Sequence, residues 1–401
     1  MKTTIITGIK ALRRSNWLLM IPISMLLIVG VLFVYSACFV SDDQEVRPLY
    51  ARQIQWMIAG VVSYVAFSVY DFRHFKRFSW AAYGSALVLL LVVLFMGRTI
   101  YGASRWLMLF GENGIGIQPS EIAKMATIIL LAHRLSESGR NLSEPREVVM
   151  ALGLIALPVA LIMKQPDLGT AMVFVPTAFI MLFVAGVPFR YLGSLAGVGI
   201  LMVALLLGAL FLPAKLGASE ATQVRISRMT GLSNTQRGRI DVFFNPDKDP
   251  MGRGWNKRQS EIAVGSGGLW GKGYLKGTQN ILGFLPRSVA PTDFIYSVIA
   301  EEKGFMGSLA VIALFGFVIL FGMLTALRTQ DAMGRLLCVG FVSLVFCHVF
   351  INIAMTVGLM PITGLPLPLL SYGGTFMIMM MSALGIIQSV YIRSHRRDSF
   401  R

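Results

Sequence analysis

Residues 17–40 read Trp17-Leu18-Leu19-Met20-Ile21-Pro22-Ile23-Ser24-Met25-Leu26-Leu27-Ile28-Val29-Gly30-Val31-Leu32-Phe33-Val34-Tyr35-Ser36-Ala37-Cys38-Phe39-Val40, without one charged side chain. Roughly 17 to 25 apolar residues in helix cross a bilayer core of about 30 Å. The run is too long for the core of a signal peptide, and no small-residue cleavage pattern follows it, so it reads as a retained membrane helix. Nine comparable runs follow, at 55–71, 79–97, 119–135, 148–163, 170–188, 191–213, 305–327, 335–359 and 373–392. A segment in lipid must satisfy its backbone hydrogen bonds internally, so each reads as a helix. The expected fold is an all-α polytopic membrane protein with about ten transmembrane helices. It forms one integral-membrane domain over 1–401, with a long extracytoplasmic loop at 214–292 between helices 7 and 8.

Composition agrees: 55% of the 401 residues are hydrophobic and 14% charged, with 23 Met, 26 Phe and 40 Gly, as suits a chain dissolved in lipid. Lys2, Lys10, Arg13 and Arg14 precede the first run, which places the N-terminus in the cytoplasm by the positive-inside rule. Alternation then puts Arg73, His74, Lys76 and Arg77 inside, with Arg134, Arg140 and Arg146, then Arg190, Arg328 and Arg335, and finally Arg393, Arg396 and Arg397. Both termini are expected in the cytoplasm. Lys and Arg flanking ten helices account for much of the net charge of +16, and nothing in this pattern points to nucleic acid.

The outer loop departs from the pattern. Arg225, Arg228, Arg237, Arg239, Lys248, Arg253, Lys257, Arg258, Lys272, Lys276 and Arg287 lie on the side away from anionic cytoplasmic lipid. Long loops are exempt from the charge rule, so the topology stands, but the basicity asks for another cause. Guanidinium groups bind phosphates through paired hydrogen bonds. A pyrophosphate at the outer leaflet is the natural counterpart, and attraction to anionic lipid headgroups is the plainer alternative.

Several chemistries find no support. Cys38, Cys338 and Cys347 fall in or at the edge of apolar runs and read as small apolar side chains. His74, His133, His348 and His395 are scattered without metal-ligand spacing. Gly265-Ser266-Gly267-Gly268-Leu269-Trp270-Gly271-Lys272-Gly273 fits neither a Walker A loop nor a dinucleotide fingerprint, and no βαβ unit surrounds it. No nucleotide cofactor is expected.

Charges inside the membrane carry more weight, because each is costly unless paired. Gln118-Pro119-Ser120-Glu121-Ile122-Ala123-Lys124 opens the fourth helix. Glu121 and Lys124, three apart, share a helix face, either as an ion pair that fixes packing or facing a polar cavity. Asp167, in the turn Gln165-Pro166-Asp167-Leu168-Gly169-Thr170, either caps the sixth helix or serves a site. Asp293 stands where the polar loop re-enters the membrane, as a cap for a helix beginning at Phe294 or as a reactive carboxylate. Residues 361–374, with three prolines and three glycines, cannot be regular helix. Irregular backbone at that depth survives only where protein buries it or where it lines a cavity.

Asn352, Gly358, Pro361, Gly364, Pro366, Pro368 and Ser371-Tyr372-Gly373-Gly374 resemble the signature of the SEDS family, the shape, elongation, division and sporulation proteins that include RodA and FtsW. Arg105-Trp106-Leu107, the 118–124 and 165–170 stretches, Gln259–Gly268 and Thr292-Asp293-Phe294-Ile295 follow in the family's order, from the third helix to the end of the chain. Gly271-Lys272-Gly273 followed by Gly277-Thr278-Gln279 is similar to the RodA branch, which works in cell elongation.

The resemblance implies a peptidoglycan glycosyltransferase of the bacterial cytoplasmic membrane that polymerises lipid II into a nascent glycan strand on the outer face. It implies membrane lipid as the surroundings and a class B penicillin-binding protein as partner. Asp293 matches the family's catalytic aspartate and takes the role of general base for the acceptor hydroxyl. Arg105, Glu121, Lys124, Asp167, Arg239, Arg253, Lys272, Ser371 and Tyr372 are the residues expected to bind substrate. A divalent cation, Mg or Mn, is expected to help neutralise the departing pyrophosphate. One departure stands out: where family members carry Leu-Pro-Glu, a variable residue and His-Thr-Asp, this chain reads Leu285-Pro286-Arg287-Ser288-Val289-Ala290-Pro291-Thr292-Asp293. A lipid-linked sugar flippase, or a scaffold for a transpeptidase with Asp293 as a cap, would use much of the same sequence.

Overall fold

The computed structural model describes residues 15–39, 46, 48–100, 103–109, 115–137, 142–217, 219, 222, 225, 226 and 229–394. Lys2, Lys10, Arg13, Arg14, Arg140, Arg228, His395, Arg396 and Arg397, on which part of the expected topology rests, lie outside the described residues.

Each expected run coincides with a helix. In chain order these are α1 (Trp17–Phe39), α2 (Leu49–Val69), α3 (Phe75–Met96), α4 (Pro119–Ser136), α5 (Pro145–Lys164), α6 (Leu168–Ala185) and α7 (Phe189–Lys215). Shorter helices α8 (Asn234–Phe244), α9 (Arg253–Ser266) and α10 (Thr278–Ile281) occupy the loop, and α11 (Ile295–Arg328), α12 (Ala332–Thr356) and α13 (Gly374–Ser394) complete the chain. The protein is a multi-pass, all-α membrane protein, and eight of these helices are long and apolar enough to cross a bilayer. The other two expected spans, α2 and α4, are more polar. Apolar surface is not required of α4, because other helices cover it: nearly every residue from Pro119 to Ala132 is buried.

The helices are placed by local signals. Pro119 opens α4 where a missing N–H costs nothing, and Gly186, at φ 94°, ends α6 in the left-handed conformation. A capping box between Ser233 and Gln236 starts α8. The structure adds one element that the hydropathy pattern does not show. Arg98–Ile100, Ala103–Leu109 and Ile115–Ile117 form an antiparallel sheet in the order β1-β2-β3, with Leu107 opposite Ile117 and Thr99 opposite Ser104. These strands are too short to stand out from the helical runs around them.

Helices α12 and α13 form the centre, and α7 lies at the periphery with no buried stretch in its span. Helix α11 is broken at Gly304, where φ is 65° and ψ −161°. A side chain there would meet the backbone of Gly271 and Leu269 at 2.3 and 2.7 Å. The break lets the loop turn pack against the helix, and it separates the buried residues 295–302 from a lower half whose Phe305, Leu309 and Phe317 are exposed.

Candidate active site

Asp293 is delivered by a series of tight turns. The carbonyl of Pro286 accepts from the N–H groups of Val289 and Ala290, both at 3.0 Å. That of Val289 accepts from Thr292, Asp293 and Phe294 at 3.2, 3.0 and 3.1 Å. Helix α11 then begins at Ile295 with Phe294 at the N-cap and no side-chain cap. The capping role considered for Asp293 is therefore not what the fold uses, and its carboxylate is left for other contacts.

Three successive carbonyls of this turn are held from the C-terminal region. The N–H of Tyr372 donates to Pro291 O at 2.9 Å, the Ser371 hydroxyl to Thr292 O, and the Asn352 amide to Asp293 O at 2.9 Å. Asn352 also donates to Leu365 O at 2.6 Å, and Leu367 N donates to Ser371 Oγ at 2.7 Å. The irregular segment expected to line a cavity thus grips the backbone that carries Asp293. Ser371, expected to bind substrate, is buried and spent on this grip. Tyr372 contributes its backbone to it, with its side chain half-buried.

The carboxylate faces arginines from distant parts of the chain. Arg239 on α8 donates to the carbonyl of Thr363. The next residue, Gly364, has φ 72°, and a Cβ there would stand 3.2 Å from Asp293 Oδ2 and 3.7 Å from Arg239 Nη2. The bare glycine leaves room for the carboxylate and the guanidinium beside it. Arg105 on β2 pairs with Asp167 at 3.6 Å and donates to Pro166 O at 3.0 Å. Arg253 on α9 donates to Thr235 O at 3.3 Å and passes over Gly238, beside Arg239. Burial pushes the Asp293 carboxyl up to about 6, against the pull of Arg239, Arg105 and a hydrogen bond from Thr292. Burial, with Arg105 and Arg253 nearby, lowers Arg239 to about 10 while Asp167 and Asp293 oppose the shift. A carboxylate titrating near neutrality can accept a proton, and the cationic wall beside it suits a phosphate.

Asp167 takes the capping role considered for it and pairs with Arg105 as well. It caps α6, accepting from Thr170 N at 3.2 Å and Thr170 Oγ1 at 2.8 Å, and it anchors Arg105. Gly169 brings the start of α6 against Leu365 and Thr363. Below lies the ion pair of α4: Lys124 Nζ is 2.8 Å from Glu121 Oε1 and 2.8 Å from His348 Nε2 on α12, with the Phe376 ring 5.8 Å away. Lys124 and Glu121 are only 1% and 3% exposed, so the pair is buried inside the bundle, with a small apolar cavity lined by Thr127, Phe174 and Leu344 on the Lys124 side.

Lys272 belongs to a different cluster. Its ammonium is 2.6 Å from Glu301 Oε1 and 2.6 Å from Thr278 Oγ1, at the break in α11. The parts played by Asn352 and Thr363 do not show in the sequence. Asn352 and His348 sit four apart on one helix among apolar neighbours, a spacing that could have marked the face they share. Among the described residues no three His, Cys, Asp or Glu side chains come together as a metal site, so the carboxylates on offer to a cation here are Asp167 and Asp293.

Comparison with known proteins gives a consistent result. A family model described as cell cycle protein, covering FtsW, RodA and SpoVE, matches residues 16–396. Peptidoglycan glycosyltransferase MrdB of Escherichia coli is 36% identical over 93% of this chain and 94% of its own. Peptidoglycan glycosyltransferase RodA of Treponema pallidum is 33% identical over 96% and 99%. Among solved structures, one described as "Structural coordination of polymerization and crosslinking by a peptidoglycan synthase complex" matches with a TM-score of 0.74 at 27% identity, covering 95% of this chain and 99% of that one. The rod shape determining protein RodA of Thermus thermophilus matches with a TM-score of 0.66 at 26% identity over 96% and 98%.

Proposed function

Since this chain belongs to the family of FtsW, RodA and SpoVE cell cycle proteins, we propose a mechanism for it built on Asp293 and the arginines around it. Its activity is that of a peptidoglycan glycosyltransferase. The substrate on this reading is lipid II, and the product is a glycan strand at the outer face of the membrane. The observation that carries the mechanism is the Asp293 carboxylate, raised to about 6 and facing Arg239 across Gly364.

Asp293 takes the proton of the acceptor sugar hydroxyl as that oxygen attacks the anomeric carbon of the donor. The bond from that carbon to the lipid pyrophosphate breaks, and the pyrophosphate leaves with the bonding electrons. Arg105, Arg239 and Arg253 neutralise the charge that develops on it, as fixed cations do in a site of low dielectric. Asp167 holds Arg105 in place. Asp167 and Asp293 are the carboxylates that would hold the expected divalent cation, which would supply further neutralisation of the departing pyrophosphate. The partner proposed is a class B penicillin-binding transpeptidase, which would cross-link the strand.

Purified protein given fluorescent lipid II tests this reading. Glycan chains should form without ATP or a second polymerase. The Asp293→Asn variant should lose about 10²–10⁴-fold of that rate, the usual worth of a positioned base. No chains from wild type would favour transport or scaffolding, and a wild-type rate in the variant would pass the search to Asp241, Asp247 and Asp249.

A further inference from the structure

The turn between α2 and α3 and the first turn of α3 carry four exposed basic side chains, Arg73, His74, Lys76 and Arg77, which the reaction does not use. Beside it lies an apolar cavity of about 410 Å³ lined by Phe67 from α2, Tyr70 just after it, Phe75, Phe78 and Ala82 from α3, and Ile129 from α4. The volume is that of a ligand pocket, roughly 300–1,000 Å³. It opens on the outside of the bundle, where Tyr70 and Phe78 are 41% and 52% exposed. Arg105 follows the far end of α3, so the groove lies about 20 Å or more along that helix from the arginine pocket, at 1.5 Å per residue.

The rim and the lining are joined. The Arg77 guanidinium lies 5.8 Å from the centroid of the Phe78 ring. The His74 ring is 5.6 Å from Tyr70, which packs against Phe75 at 5.3 Å. The nearby acids are engaged elsewhere, Asp71 with Arg393 at 3.2 Å and Asp331 with Arg73 at 3.7 Å. That leaves Lys76 and Arg77 without a carboxylate partner among the described residues.

We propose that this groove binds an anionic phospholipid of the leaflet opposite the arginine pocket. One acyl chain lies along Phe67, Phe75, Phe78 and Ile129. The phosphate sits on Lys76 and Arg77, with His74 at its edge. Zwitterionic phospholipid offers the same chain but no net negative charge, so the basic rim selects the anionic headgroup.

Native mass spectrometry of the full-length protein, released from detergent with equal phosphatidylglycerol and phosphatidylcholine of identical chains, tests this. The first lipid retained should be phosphatidylglycerol, by roughly tenfold or more. Lys76→Gln with Arg77→Gln should abolish that preference while lipid is still retained. Ala66→Phe, an exposed position at the groove, should lower retention of both lipids, with Ala82→Phe as the second filling variant. Each variant is first shown to melt as wild type does in detergent. Equal retention of the two lipids by wild type would overturn the proposal, as would an undiminished preference in the Lys76 and Arg77 double variant.

Discussion

Asp293 sits between burial, which favours its neutral form, and two guanidinium groups, which favour its charge. Burial wins, and the folded carboxyl titrates near 6 instead of 3.8. Below 3.8 the group is neutral in both folded and unfolded chains and costs nothing. As pH rises from about 4 to about 6, the unfolded chain gives up its proton while the folded one keeps it, so this group lowers stability across that window and adds no further change above it. Asp293→Asn removes that dependence. Melting curves should show the variant gaining on wild type between about pH 4 and 6, with a constant difference at higher pH. Polymerisation by wild type should decline below about pH 6 as the base is protonated. A rate flat down to pH 4.5 would separate Asp293 from proton transfer. Gly364 offers a second test at the same atoms. An alanine there carries the left-handed conformation at about 1–2 kcal/mol, and its methyl presses on the carboxylate. Gly364→Ala should therefore lose at least about tenfold in lipid II turnover while still folding, and unchanged turnover would mean that the gap beside Asp293 is idle. The identity of the acid was legible in the Thr292-Asp293-Phe294-Ile295 motif. The replacement of the family's His by Pro291 was legible too, but its consequence was not. Pro291 supplies a carbonyl to Tyr372 N, a contact made by backbone whatever the side chain.

Helix α4 shows how an element inside a membrane protein can be polar. Its Glu121 and Lys124 are spaced to meet on one face, which sequence revealed. That the face turns toward His348 on α12 and Phe376 on α13, and not toward a wet cavity, came from packing. Removing one partner strands a charge in low dielectric, at roughly 3–5 kcal/mol. Glu121→Ala and Lys124→Ala should each cut the yield of monodisperse protein in size-exclusion chromatography, and the double variant should recover part of it. Wild-type yield from both single variants would show that the pair does not hold α4 in place. The segment 361–373 is the complementary case. Its prolines and glycines ruled out helix at a glance, yet nothing local said that its N–H and hydroxyl groups, with Asn352, would hold the carbonyls of 291–293.

At the scale of the molecule, the ten helices and the eight that are apolar enough to span make different topologies. If α2 and α4 cross, the turn at 71–77 and the C-terminus share the cytoplasmic side and the loop at 214–292 lies outside. Impermeant thiol labelling of intact cells should then reach Met251→Cys, at a site 87% exposed, and should reach Arg77→Cys and Ser399→Cys only after permeabilisation. The native Cys38, Cys338 and Cys347 are buried and should stay silent. Labelling of Arg77→Cys from outside would show that α2 does not cross. The sequence alone determined the helical class, the extent of the long apolar segments and the acid at the membrane edge, because hydropathy, length and a short motif are properties of contiguous residues. Only the tertiary structure decided that Arg105 from a short strand and Arg239 from a loop helix face Asp293, that Lys272 serves a separate cluster with Glu301, and that 98–117 pairs as a sheet. A guanidinium meets its partner through the packing of segments far apart in the chain, and no periodicity in the residues around it records which carboxylate that packing brings near.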